Sequence, residues 1–347
     1  MPAPEIGYGV QDRFPLKVVC LFSGEGGGGK STTTQQLAVA HVLGRKWLGC
    51  VPRKGRAIYV ECEDPEDVLH WRQKVIAEHY GATQAVIADA GFYMLPLADD
   101  DESAILATAP DKSGIVHPTP LYDRLFEMAG DIKPVMIGIA SAAIVFAGNE
   151  NVRPEVQQFM WLLRRLARLS GGYVLLVAQP SLTGIGDASV SHAGLSGTTQ
   201  WHNGSRGRAV LRAVKPEDGS VDTGLREIKF YKNQYGPLSA SCFVRYTNGL
   251  FLPVEGMSMD AAERAAKAEE VFIALLKKFT AQHQLVSHAS GRNYAPARFA
   301  DHPEAQGIPK KEFAQAMQRL LDAGVIEIRT WGRPSRPTQY LALSGEG

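Results

Sequence analysis

Cysteine is scarce in this chain. Cys20, Cys50, Cys62 and Cys242 are the only four in 347 residues, and no two form a CxxC pair. That spacing argues against a zinc site or a disulfide framework and makes a reducing cytoplasm the simplest setting. Excess charge is also missing: 37 Lys and Arg stand against 36 Asp and Glu, so global electrostatics name no partner. Long apolar runs are absent too. The longest, Val135–Gly148, falls short of a bilayer span and reads as a buried strand with its exit loop, so no membrane partner is expected. The opening residues MPAPEIGYGVQDRF show no apolar core of a secretory signal. At 45% hydrophobic and 21% charged residues, the composition excludes disordered, collagenous and coiled-coil chains.

What is present is an alternation of apolar runs and helical periodicity. Residues 16–23, 57–62, 91–97, 134–139 and 172–178 read as strands. Helical patterns occupy about 65–80, 121–129 and 154–169, with Pro154 at a permitted first-turn position. This order predicts an α/β domain with a mainly parallel sheet. Residues 98–118 read as a loop or insertion. Beyond Gln179 a Gly/Ser/Thr-rich stretch leads to shorter strands at 209–214, 225–232 and 242–246. The expected division is an ATPase-type domain over 1–251, a linker over 252–262 and a C-terminal domain over 263–347. In that last part helices precede a basic hairpin around GRPSRP, the order of a winged helix.

Gly24-Glu25-Gly26-Gly27-Gly28-Gly29-Lys30-Ser31 fits the phosphate-loop pattern GxxxxGK[ST] between a strand and a helix. Glycines let successive amides converge on phosphate oxygens, and the helix that follows adds the positive end of its dipole. Gly24, Gly26, Gly27, Gly28 and Gly29 form the cradle. Lys30 would bridge the β- and γ-phosphates, Ser31 would ligate Mg²⁺, and Thr32 closes the binding segment. ATP and Mg²⁺ are the cofactors this pattern calls for.

The second strand ends in Glu61-Cys62-Glu63-Asp64-Pro65. A carboxylate there would orient the water that attacks the γ-phosphate, with Glu63 placed ahead of Glu61. The same acids also suit an ordinary helix start. A third element, an apolar strand ending in Asp, should hold the metal's water shell. The strand at 135–139 is followed instead by Ala140. Either the alignment is shifted, or the chain is a weak ATPase, or position 140 carries a substitution of the kind that traps nucleotide. Gln179, at the end of the fourth strand, is placed to sense the γ-phosphate.

Residues 203–245 hold eight Lys and Arg against four Asp and Glu. Arg206 and Arg208 follow a Gly/Ser-rich loop, and Lys232 lies in YKNQYG. These three suit cationic fingers aimed at a neighbouring subunit's γ-phosphate, a solvated basic face, or contacts to DNA phosphates. Lys310, Lys311, Arg319, Arg329, Arg333 and Arg336 fall on the last helix and hairpin, where duplex DNA or a protein partner would sit. Phe159 and Trp161 read as core and interface residues rather than a base-stacking platform.

Taken in order, SGEGGGGKS, IYVECEDP, VMIGIASAA, VLLVAQP, GTTQWHNGSRGRAVL and FYKNQYGP resemble the RecA-like ATPases of the plasmid RepA type. That family comprises hexameric replicative DNA helicases and phage and prophage ATPases. The run from NYAPARFADHPEAQ to GRPSRP is similar to the tail of its phage-borne members. The resemblance implies a RecA-like fold, a homo-oligomer, most simply a hexameric ring, and ATP between subunits. It also implies Glu63 as general base, Arg206 or Arg208 as a finger acting in trans, and loops at about 146–153 and 180–200 facing single-stranded DNA. It places Asp where Ala140 stands. The expected activity is that of an ATP-dependent helicase or translocase on single-stranded DNA, in replication or recombination. A filament-forming strand-exchange recombinase and a nucleotide-gated duplex-DNA regulator are the alternatives.

Overall fold

Apolar runs laid side by side as parallel strands are buried on both faces, which explains why they lack a polar alternation. The computed structural model describes residues 5–98, 104–179, 199–214, 224–254, 261–331 and 338–344. Strands β1 (Tyr8–Val10) and β2 (Phe14–Pro15) form a small antiparallel pair. The main sheet is built from β3 (Val19–Gly24), β4 (Ala57–Glu61), β5 (Phe92–Pro96), β6 (Met136–Ala140), β7 (Tyr173–Ala178), β8 (Gly207–Ala213), β9 (Leu225–Asn233), β10 (Cys242–Thr247) and β11 (Leu250–Pro253). Their spatial order is β11-β10-β9-β8-β3-β7-β6-β4-β5. From β8 to β5 all neighbours are parallel, and β9, β10 and β11 complete one edge antiparallel. The α/β class expected from the alternation is the class observed.

Helices α1 (Lys30–Leu43), α2 (Glu66–His79) and α3 (Gln84–Asp89) cover one face, where Leu37, Ile76 and Ile87 pack with Phe22, Tyr59 and Tyr173. Helices α4 (Pro120–Ile132), α5 (Ala142–Val145), α6 (Arg153–Ser170) and α7 (Gln200–Gly204) lie on the other, where Leu125, Val145 and Leu163 meet Leu21, Ile137 and Leu176. Local signals set the helix ends. Thr119 caps α4 by accepting from the Tyr122 amide, with Pro120 in the first turn, and α1 stops at Gly44 in the left-handed region (φ 62°). The carboxyl ends of β3, β4, β6 and β7 share one edge, the edge at which open α/β sheets bind ligands.

The chain's contacts divide it into residues 1–258 and 259–347. Strand β11 lies at 250–253, inside the segment expected to begin the linker at 252, because Leu250 and Phe251 are core residues of the first unit. The second unit contains α8 (Ala261–Ala281), α9 (Ala295–Ala300), α10 (Lys310–Asp322) and the antiparallel hairpin β12 (Ile326–Trp331) and β13 (Thr338–Leu343). Its core centres on Phe272, Phe279, Phe299 and Phe313, in edge-to-face and tilted contacts. Two short helices fall where none was expected: α3, and α9 within the polar stretch 283–308. Each spans six residues, too few for helical periodicity to emerge.

A buried histidine makes the first unit sensitive to acid. His41 in α1 is fully buried, with Nδ1 at 2.7 Å from the Arg53 carbonyl and Nε2 at 2.9 Å from the Tyr173 hydroxyl. The carbonyl can only accept, so Nδ1 carries the proton and Nε2 accepts from Tyr173. Burial pushes the imidazole down to about 4. Between that value and its ordinary one the unfolded chain binds the extra proton, so stability falls as pH falls through this window. Up to about 3 kcal/mol is lost between pH 6.5 and 4. Chemical unfolding across this range is expected to show that slope, and His41→Gln to flatten it. An unchanged slope in the variant would assign it to other groups.

Candidate nucleotide site

The loop Gly24–Gly29 leaves the end of β3 and enters α1 directly. Gly27 and Gly29 adopt positive φ (67° and 99°), a conformation that disfavours any residue with a side chain. At Gly29 a side chain would also collide with Phe251, whose ring lies 2.0 Å from the position a Cβ would take. At Gly26 and Gly27 a Cβ would meet nothing within 4 Å, so the loop's backbone borders open space. Lys30 is buried, and its ammonium donates to the carbonyls of Gly24 and Glu25, both at 2.7 Å. Burial lowers its pKa, opposed by the carboxylates of Glu63 and then Glu25. Ser31 and Thr32 are half-buried in the first turn of α1. Thr33 and Thr34 instead donate to the Gly29 and Lys30 carbonyls, each at 2.8 Å, and fix the start of the helix.

The acids after β4 divide into two roles. Glu61 is fully buried and accepts from the Tyr59 hydroxyl at 2.5 Å and from the amides of Cys62 and Glu63. Arg72 of α2 stands 3.8 Å from it and pairs with Asp64 at 2.6 Å. Burial raises the pKa of Glu61 against those donors. Glu61 is therefore a structural acid tying β4 to α2. Glu63 turns elsewhere: its Oε1 accepts from the Ser141 hydroxyl at 2.5 Å. Cys62 lies between them with its thiol pushed up to about 12, chiefly by burial, and stays protonated.

Position 140 is fixed by register. Ala140 pairs with Glu61, its carbonyl accepts from the Cys62 amide at 2.9 Å, and its side chain packs on the α1 side of the sheet. A shifted alignment is thereby excluded: residue 140 is the strand end beside the phosphate loop, and it carries a methyl group. The Ala140–Ser141 peptide bond is cis. Gln179 is exposed at the end of β7, between β3 and β6. Mg²⁺ takes hard oxygen donors and keeps several waters. The Ser31 hydroxyl and the Glu63 carboxylate suit it, so the donor set fits the ion with its carboxylate supplied by β4 rather than β6.

Arg206, Arg208 and Lys232 meet at the other end of β3. Arg208 pairs with Leu21, three residues before Gly24, and with Lys232 across β9. At about 3.3 Å per residue this puts Arg208 roughly 10 Å along the strand from the loop's first glycine. The carbonyls ending α7 collect the cations. Lys232 donates to His202 at 2.9 Å, Arg206 to Asn203 at 2.8 Å, and Arg164 of α6 to Gly204 at 3.4 Å. Burial, then Arg206 and Arg208, lower the pKa of Lys232. Arg208 is fully buried with its guanidinium over Tyr231, whereas Arg206 and Lys232 are half-buried.

Other expected features are placed as follows. Segment 146–153 is pinned by Phe146, which stacks on Phe159 at 4.7 Å, while most of 180–200 lies outside the described residues. Phe159 is core, and Trp161 is half exposed beneath Arg165. In the second unit, Arg319 pairs with Glu269 and Arg329 with Glu327, so two of the six cations read as one basic patch are neutralised within the unit. Arg333 and Arg336 lie outside the described residues.

Sequence reasoning missed Ser141, Arg72, Phe251 and Arg164. Arg72 alone left a signal: it interrupts the buried stripe Leu69, Gln73 and Ile76 of α2 with a charge that needs a partner.

This geometry has relatives among known proteins. A family model described as an AAA domain matches residues 2–184. No curated protein sequence matches. Among solved structures, the chain is similar to the ATPase domain of a phage helicase, at 12% identity and a TM-score of 0.48, over 69% of this chain and 85% of that one. It is also similar to the RadB recombinase, at 14% identity and a TM-score of 0.43, over 69% and 92%. Among the described residues no helix is long and apolar enough to cross a membrane.

Proposed function

The chain belongs to the AAA-domain family, and from that premise we propose that it is an ATP-driven helicase or translocase on single-stranded DNA. In this reading it is RecA-like and of the RepA type, serves phage or plasmid-type replication or recombination, and works as a ring with ATP between subunits. One observation carries the proposal. The phosphate loop and the cationic group Arg206, Lys232 and Arg164 occupy opposite ends of the same strand. Those cations reach a γ-phosphate only on another copy of the chain, as a finger acting in trans requires. Lys30, Ser31 and Thr32 bind nucleotide and metal, Glu63 is the carboxylate at the γ-phosphate, and Gln179 reports its state. Arg208 supports Lys232 from within the sheet. The second unit, in winged-helix order, serves a protein contact in preference to duplex DNA, since Arg319 and Arg329 already have acidic partners.

The test is ATP hydrolysis with and without single-stranded DNA, on this chain and on Ala140→Asp. The variant is expected to show DNA-stimulated turnover at least about tenfold above the parent, which stays nearly silent. If both bind ATP and neither turns it over, the motor reading falls and a nucleotide-gated DNA binder takes its place. Open filaments with strand exchange in place of rings would make the protein a recombinase.

A further inference from the structure

Beside the methyl group of Ala140 lies a hydroxyl with an acidic partner. Ser141 is 3% exposed and its Oγ donates to Glu63 Oε1, so this bond is shielded from water. The chain beyond Glu61 runs along the end of β6, as the Cys62 amide on the Ala140 carbonyl requires. Glu63 is thereby brought alongside residue 141, next to the position where an acid is missing. Its charge also acts on the Lys30 ammonium, more strongly than that of Glu25. Glu61 is not available for the same work, because Tyr59, two amides and Arg72 already engage it.

We infer that Glu63, anchored by Ser141, is the carboxylate that receives the water shell of the nucleotide's Mg²⁺ in this chain, replacing from β4 the acid that β6 lacks. The inference rests on the nucleotide reading above. A planar carboxylate has two oxygens: one is held by Ser141, and the other is left for the ion's waters. A carboxylate committed in this way is not free to orient the attacking water. The same exchange therefore permits nucleotide binding and slows hydrolysis. Ser141 is a positioning residue, and Glu63 is the group that meets the ion's waters.

The test reads metal retention rather than turnover. Mn²⁺ is titrated into the full chain with a non-hydrolysable ATP analogue, and free Mn²⁺ is followed by electron paramagnetic resonance. Glu63→Gln is expected to weaken Mn²⁺ retention about tenfold, the order found when a metal's outer partner is lost. Ser141→Ala should give a smaller loss in the same direction. In an Ala140→Asp background, Glu63→Gln should change retention by less than about twofold, because the strand-end acid has resumed the work. Equal Mn²⁺ retention by Glu63→Gln and the parent would overturn the inference. So would a full tenfold loss that persists beside Asp at 140. Should Glu63→Gln fail to fold, unchanged retention in Ser141→Ala would overturn it. Calorimetry with the analogue separates the two readings: a parent chain that binds no analogue refutes the nucleotide site itself.

Discussion

Lys30→Ala is expected to lower nucleotide affinity by at least about 100-fold, on the order of 3 kcal/mol, when measured by calorimetry. The ammonium has two tasks. It holds the phosphate loop closed through the Gly24 and Glu25 carbonyls, and it is the buried cation at the phosphate position. Alanine performs neither. The fold should survive, because α1 is secured independently by the Thr33 and Thr34 bonds and by the packing of Leu37. Circular dichroism and a denaturant midpoint close to the parent's would confirm that binding alone was lost. Unchanged affinity would refute the assignment of the loop.

Arg72→Ala is expected to cost about 3–5 kcal/mol of stability, the usual result of stripping a buried charge of its partner. That corresponds to a fall in melting temperature of roughly 10 °C for a unit of this size. Glu61 is wholly shielded from solvent, and Asp64 depends on the same guanidinium. Glu61→Gln should be far milder, since an amide needs no counter-charge and still accepts from Tyr59 and the two backbone amides. A loss under about 1 kcal/mol for Arg72→Ala would mean that water or neighbouring amides take over its role. The pair of variants also separates the two glutamates, because Glu61 is read by unfolding and Glu63 by metal retention.

The phosphate loop was legible in the sequence because its chemistry needs fixed residues at fixed spacing, from Gly24 through Ser31. The parallel strands were legible because β3, β4, β6 and β7 are buried along their whole length and therefore read as unbroken apolar runs. What escaped depends on strands meeting in space. Ser141 gains meaning only when β4 sets Glu63 beside it. Phe251 covers Gly29 only after the sheet's antiparallel edge has folded onto α1. Counting charges also misled: Arg319 and Arg329 looked like a DNA-facing patch until Glu269 and Glu327 appeared at their sides. A charge count reports surplus, not pairing, and pairing across 50 residues is set by tertiary structure.

The contact between Phe251 and the phosphate loop bears on how this protein is made. Gln36 of α1 exchanges two hydrogen bonds with the Phe251 backbone, 215 residues further along the chain. At 5–20 residues per second, a ribosome needs roughly 10–40 s to travel that distance. Throughout that interval the nascent chain carries a complete glycine-rich loop without the strand that braces it. Nucleotide capture is therefore a late event in the synthesis of this protein, governed by the arrival of β11.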